Sequence, residues 1–141
     1  GALESVDDRN GNRVTLVYSG GRVTSLLLPN GDSYTLRRDG NGRIDQITDP
    51  VGRVTSYSYD ASGEHLVGAS DPDGATALDY SDAPTPATAH QVVSLTFANG
   101  ARVSADYDSQ GRLRRLDEGA LEAIDFAYDG PGSLTVTHAT G

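Results

Sequence analysis

The chain has 141 residues and a formal net charge of −9, with 11 basic residues that are all Arg, and no Cys. That balance argues against a nucleic-acid backbone partner, which needs clustered cationic side chains, and against binding to anionic membrane surfaces. Absent cysteine excludes disulfides and thiolate metal sites, and no apolar run approaches the roughly 20 residues of a membrane-spanning helix, so membrane insertion is not expected.

Residues 1–9 are expected to be a lead-in to the folded region or a remnant of cloning, and residues 10–141 one continuous array. From Asn10-Gly11 onward, turn signals alternate with short strand signals. Val14, Leu16 and Tyr18 alternate with polar or smaller neighbours, as do Tyr34 and Leu36, and Val54, Tyr57 and Tyr59 lie in a Thr/Ser/Tyr-rich stretch. Such residues suit a pleated surface. Between them stand Asn30-Gly31, Asp39-Gly40, Asn41-Gly42, Asp73-Gly74 and Asn99-Gly100, types that tolerate the positive φ of tight hairpin turns. Around 81–90, Ala83-Pro84-Thr85-Pro86 replaces a tight turn and predicts an irregular, lengthened loop inside the array. A short stretch from Gly119 to Phe126 is the one place with a helical look.

The turns repeat. Gly21, Gly42, Gly63, Gly111 and Gly132 are spaced by 21, 21, 48 and 21 residues, and a second set (Gly11, Gly31, Gly52, Gly74, Gly100, Gly119) interleaves with them. Self-similarity at a fixed period marks a repeat architecture. The expected fold is all-β, a curved antiparallel sheet of about six stacked β-hairpin repeats of about 21 residues. After the first-set turn of each unit the apolar residues sit three apart: Val23/Leu26, Ile44/Ile47, Leu66/Ala69, Val92/Leu95 and Leu113/Leu116. A plain strand would send such a pair to opposite faces, so a recurrent bulge is expected.

Tyr59-Asp60-Ala61-Ser62-Gly63, Tyr107-Asp108-Ser109-Gln110-Gly111-Arg112-Leu113 and Tyr128-Asp129-Gly130-Pro131-Gly132 resemble the YD repeat of the Rhs family, whose pattern is Tyr-Asp-x-x-Gly-Arg-(Leu/Ile). Gly42-Arg43-Ile44 fits with Arg38 in the Tyr place, Tyr18 precedes a turn one residue shorter, and Tyr80 shares the Tyr position. The resemblance implies a strip of β-hairpins forming part of a shell. In bacterial Rhs polymorphic toxins and insecticidal toxin complexes such a shell encloses a C-terminal toxin, and wall-associated and teneurin-like proteins carry related repeats. It therefore implies a structural role in a secreted or cell-surface protein, bacterial by this resemblance, whose partners are neighbouring repeats or an enclosed C-terminal toxin segment. The alternative is an extracellular adhesion module that binds carbohydrate or an extended peptide.

No catalytic residue, cofactor or metal is expected. The acidic stretches at Asp7-Asp8, Asp39-Gly40 and Asp71-Pro72-Asp73 are too short for a calcium loop with its distal Glu and read as turn chemistry. His65 and His90 are taken to hold corresponding positions in two repeats, and with His138 read as structural surface residues. An Arg after the turn Gly is expected to pair with an Asp of a neighbouring unit. Tyr34 and Tyr57 fall outside the phased set and are the candidates for a binding surface. Unpaired edge strands predict self-association, opposed by like charge.

Overall fold

A computed structural model describes residues 1–82, 89–119 and 122–140. Among these there are thirteen β-strands and no helix. The chain divides into two compact units, one of Gly1–Ser58 with Ser70–Pro72 and one of Tyr59–Ala69 with Asp73–Gly141. The first unit holds β1 (Ser5–Asp7), β2 (Arg13–Ser19), β3 (Arg22–Leu27), β4 (Ser33–Arg38), β5 (Ile44–Thr48) and β6 (Val54–Tyr59) up to Ser58. Each pairs antiparallel with its neighbour in chain order. Residues 1–9 thus contribute β1, whose Ser5 and Val6 face Thr15 and Val14.

The second unit holds most of β7 (Leu66–Asp71), then β8 (Gly74–Tyr80), β9 (Val92–Thr96), β10 (Arg102–Tyr107), β11 (Leu113–Asp117), β12 (Glu122–Gly130) and β13 (Ser133–Thr140), again in chain order. The stretch with a helical look therefore feeds β12, and residues 120–121 lie outside the described residues, as do 83–88 of the irregular loop. Sequential antiparallel order follows from the short connections, which let each strand return beside the one before it.

At four of the five places, all but Leu66/Ala69, the three-residue spacing resolves into bulges. Tyr18 pairs with Val23 while Val17 pairs with Ser25, which leaves Thr24 as the extra residue. The same shift occurs at Arg37/Arg38, Asp79/Tyr80 and Asp106/Tyr107. One added residue restores the face, so Val23 and Leu26 point the same way.

Partners in an antiparallel ladder share a face. In the first unit Leu16, Leu26 and Tyr34 are aligned, as are Leu36, Ile47 and Thr55. In the second, Leu78, Leu95 and Val103 align, and Ala105, Leu116 and Ile124 continue the row. The opposite face of the second unit carries Asp79, Ser94 and Ser104, with Arg115 against Asp125 at 3.0 Å. Each unit is thus one amphipathic layer. Among the described residues only Ala123 (6% exposed) and Ser94 (2%) are fully buried, and the aligned Leu, Ile and Val residues stay half-buried.

Close approach makes Gly74 irreplaceable. Its φ is +142°, and a β-carbon there would collide with the Ala98 methyl. Gly74→Ala is expected to destabilise the chain by about 2 kcal/mol, from backbone strain and overpacking together. Urea unfolding followed by circular dichroism measures it.

Candidate functional site

The functional feature of the array is the junction where one repeat meets the next. It starts in the turn. At Asp39 the main-chain N–H donates to the Arg43 carbonyl at 2.9 Å, and the Gly42 N–H donates to the Asp39 carbonyl at 3.0 Å. Gly42 has φ +84°, which completes a three-residue hairpin loop with a left-handed glycine. The Asp39 carboxylate accepts from the N–H groups of Asn41 and Arg43, and the Arg43 guanidinium pairs with the same carboxylate at 2.7 Å. Asp49 with Arg53 and Asp108 with Arg112 repeat the arrangement. Asp8 does so with Asn12. In these three turns the Arg pairs with the Asp of its own turn, four residues back, where the sequence suggested an Asp of a neighbouring unit. The cause is proximity, since the hairpin loop already brings the two side chains together.

Other turns depart from this, among them the two that follow. Gly20 and Gly21 both have positive φ (+58° and +76°) and make a two-residue turn of the primed type. Asp129 accepts from the Thr135 hydroxyl at 2.6 Å, with Pro131 and Gly132 forming the turn beyond Gly130.

The tyrosines then fasten repeat to repeat. The hydroxyls of Tyr18, Tyr80, Tyr107 and Tyr128 donate to the carbonyls of Leu3, Leu66, Val92 and Leu113, at 2.7 to 3.0 Å. Each acceptor lies 14 or 15 residues earlier. The β9–β10 ladder stops at Ser94–Ser104, so the Val92 carbonyl beyond the bulge is taken up by the hydroxyl of Tyr107. Arg38 stands in the Tyr place and does the same work, its Nη2 donating to the Val23 carbonyl at 3.3 Å. Tyr59 is half-buried at the same strand end, beside Asp60.

A second fastener is the residue after the turn. Arg22 Nη1 donates to the Gly42 carbonyl at 2.8 Å and Gln91 Nε2 to the Gly111 carbonyl at 2.7 Å, each 20 residues on. The Arg112 guanidinium also lies 4.3 Å above the Tyr128 ring, a cation–π contact.

His65 takes this place in the turn of Asp60-Ala61-Ser62-Gly63-Glu64, with its ring 4.3 Å from that of Tyr80. Its Nδ1 lies 2.7 Å from Asp60 Oδ2, and its Nε2 lies 2.7 Å from His90 Nδ1. The Asp60 carboxyl is held well below the usual carboxylate range, first by the His65 bond and then by the Ser62 hydroxyl and the turn N–H groups. Asp60 and His65 also line a groove of about 600 Å³ with Val67, Leu78, Asp79 and Tyr80.

His90 is not the counterpart of His65. Ser81 N–H donates to the Gln91 carbonyl as Asp39 does to that of Arg43, so Gln91 matches Arg43 and His90 matches Gly42. Among the described residues it is the one non-glycine with positive φ, +66°, a conformation that costs such a residue of order 1–3 kcal/mol. The sequence held the signal, because the 48-residue gap between Gly63 and Gly111 divides into 27 and 21 at His90. Tyr34 and Tyr57, the binding-surface candidates, are half-buried on the apolar face that Leu16, Leu26 and Ile47 share.

Within each unit these junctions tie hairpin repeats together by side chains at fixed places. The chain belongs to the teneurin YD-shell family, whose pattern matches residues 1–140. No curated protein matches the sequence. Among solved structures it is similar to the Photorhabdus luminescens Tc holotoxin pore, at 17% identity and TM-score 0.71 over 99% of this chain and 8% of that one. It is also similar to TcdB2-TccC3, at 16% identity and TM-score 0.64 over 95% of this chain and 8% of that one. A third is TcdB2-TccC3-TEV, at 17% and 0.63 over 95% and 7%. At these identities the likeness is one of fold, and the chain spans less than a tenth of each neighbour.

Two outcomes follow from the fasteners. Tyr107→Phe should cost about 1 kcal/mol, the net value of one hydrogen bond, whereas Arg38→Tyr should be close to neutral; chemical denaturation of both variants checks the pair. The turn carboxylates give an acid limit. In Asp108 hydrogen bonds from Arg112, main chain first, lower the pKa; in Asp39 burial pulls upward but the bonds from Arg43 prevail. A depressed folded pKa contributes stability that is present above the unfolded value near 3.8 and lost as pH falls through the folded one. Stability should hold from pH 7 to about 5 and fall below about 4, less steeply in Asp108→Asn, as read by urea midpoints across pH.

Proposed function

We propose that this chain is a structural segment of a YD shell that encloses or displays a toxin or effector segment of its parent polypeptide. The parent is a secreted or cell-surface protein, of bacterial origin, and the segment's work is architectural and not enzymatic. The observation that carries this reading is the repeated junction: the Tyr or Arg hydroxyl or guanidinium bond to a carbonyl of the preceding repeat recurs at Tyr18, Arg38, Tyr80, Tyr107 and Tyr128. Side chains at the strand ends are spent on holding repeats in register. The half-buried apolar rows of Leu, Ile and Val support it as well, because a one-layer sheet gains by having its apolar face covered.

Partners in this reading are further repeats of the same polypeptide and the segment they surround. Family membership supports the shell, and the likeness to TcdB2-TccC3 and the Tc holotoxin pore supports a toxin-complex setting. A second reading, an adhesion module for carbohydrate or an extended peptide, rests on Tyr34 and Tyr57, half-buried on the apolar face rather than wholly covered.

The parent reading frame and a protease distinguish them. A shell segment predicts further 21-residue repeats on both sides, and a C-terminal segment that resists protease in the intact parent but is digested once released. A parent with few repeats and no protected segment would overturn the shell and favour adhesion.

A further inference from the structure

We propose that Glu64, His65 and His90 form a binding site for a divalent transition cation of the zinc class, with Asp60 as the residue that orients His65. One ligand atom from each of the three lies within 4.8 Å of the others. Two imidazoles and one carboxylate are a donor set that suits zinc, whereas calcium and magnesium take oxygen ligands.

The hydrogen bonding settles which nitrogens would serve. Asp60 Oδ2 lies 2.7 Å from His65 Nδ1, so the single proton of a neutral His65 ring sits on Nδ1 and the Nε2 lone pair points outward. A carboxylate behind a metal-binding imidazole is the usual outer partner of a zinc ligand. That lone pair meets His90 Nδ1 at 2.7 Å. A cation inserted between the two nitrogens takes the place of the bridging proton, which moves to His90 Nε2 as that neutral ring changes tautomer.

The three ligand atoms lie within 4.8 Å of one another, so the widest pair must close by about 1.5 Å to reach tetrahedral spacing. Ligand atoms of a tetrahedral zinc site with bonds of about 2.05 Å lie roughly 3.3 Å apart. The two imidazole nitrogens would open by about half an ångström, and Glu64 Oε2, now 3.8 Å from His90 Nδ1, would close by a similar amount. Glu64 and His90 can move, since their side chains are 63% and 61% exposed, whereas His65 is held by Asp60 and Tyr80 at 18%. The exposed side leaves the fourth position for water. Asp79 and Asp82 line the groove beside His65, and their charge favours a cation there.

The site also stands where a repeat junction would be. At two other junctions the residue after the turn donates to the carbonyl of the next glycine position, Arg22 to Gly42 and Gln91 to Gly111. Here His65 meets the side chain of His90, which occupies that glycine position. A bound cation would be the fastener of this junction.

The test titrates the chain with zinc chloride while following the imidazole resonances by NMR and thermal unfolding by circular dichroism. His90→Gly removes a ligand and restores the residue type the left-handed backbone prefers, so loss of folding cannot explain a lost response. The expected result is one equivalent bound, with His65 and His90 resonances shifted, His138 unmoved, and a melting temperature raised by about 9 °C at zinc a hundredfold above Kd. Calcium should give no shift, and His90→Gly should lose the zinc response. Unmoved His65 and His90 resonances at about 1 mM zinc, far above any specific Kd, or an undiminished response in His90→Gly, would overturn the proposal.

Discussion

Each tyrosine hydroxyl that donates to a carbonyl 14 or 15 residues earlier closes the end of a strand pair that the backbone ladder leaves open. At Val92 and Leu113 a bulge creates the need. It turns an extra residue into the strand so that both apolar side chains share a face, and in doing so it carries the next carbonyl past the last ladder bond. An unpaired carbonyl on a half-covered surface is costly. The Tyr ring covers the spot and its hydroxyl satisfies the oxygen, so one side chain answers both demands. Everything else in the repeat, including the turn that follows the Tyr and the cation or imidazole laid against its ring, is arranged around that contact.

The regular part of this design could be read from the sequence because each element has its own residue type at its own spacing. Glycines 21 residues apart required left-handed backbone, alternating Val, Leu and Tyr required strands, and the three-residue spacing of Ile44 and Ile47 required a bulge. The family followed from Tyr107-Asp108 and its companions. Substituted positions were harder to read. Arg38 in a tyrosine position looks like a lapse in the motif until its guanidinium is seen on the Val23 carbonyl. Pattern reports residue types, whereas the junction asks only for a donor on a long, flat side chain.

The turn Arg illustrates a second limit. Sequence places Arg43 near several acids at once, and it is the loop geometry that brings Asp39, four residues back, against it. Such half-exposed pairs contribute modestly, so neither composition nor charge counting could rank them. Likewise His65 and His90 are 25 residues apart and belong to turns of different length, and the one-residue offset between them is what turns two aligned rings into a bonded pair.

Strand order in both units follows chain order, each strand lying beside the one that precedes it. A load applied along the polypeptide therefore meets these hydrogen bonds one after another, as a zipper does, rather than all together as in sheets whose terminal strands are sheared past each other. Release of one 21-residue repeat would pay out roughly 70 Å of extended chain and pass the load to the next. Whatever resists pulling in such a strip must lie in its side-chain fasteners, so an array of this kind can be stiff across its face and still be drawn out, repeat by repeat, from an end.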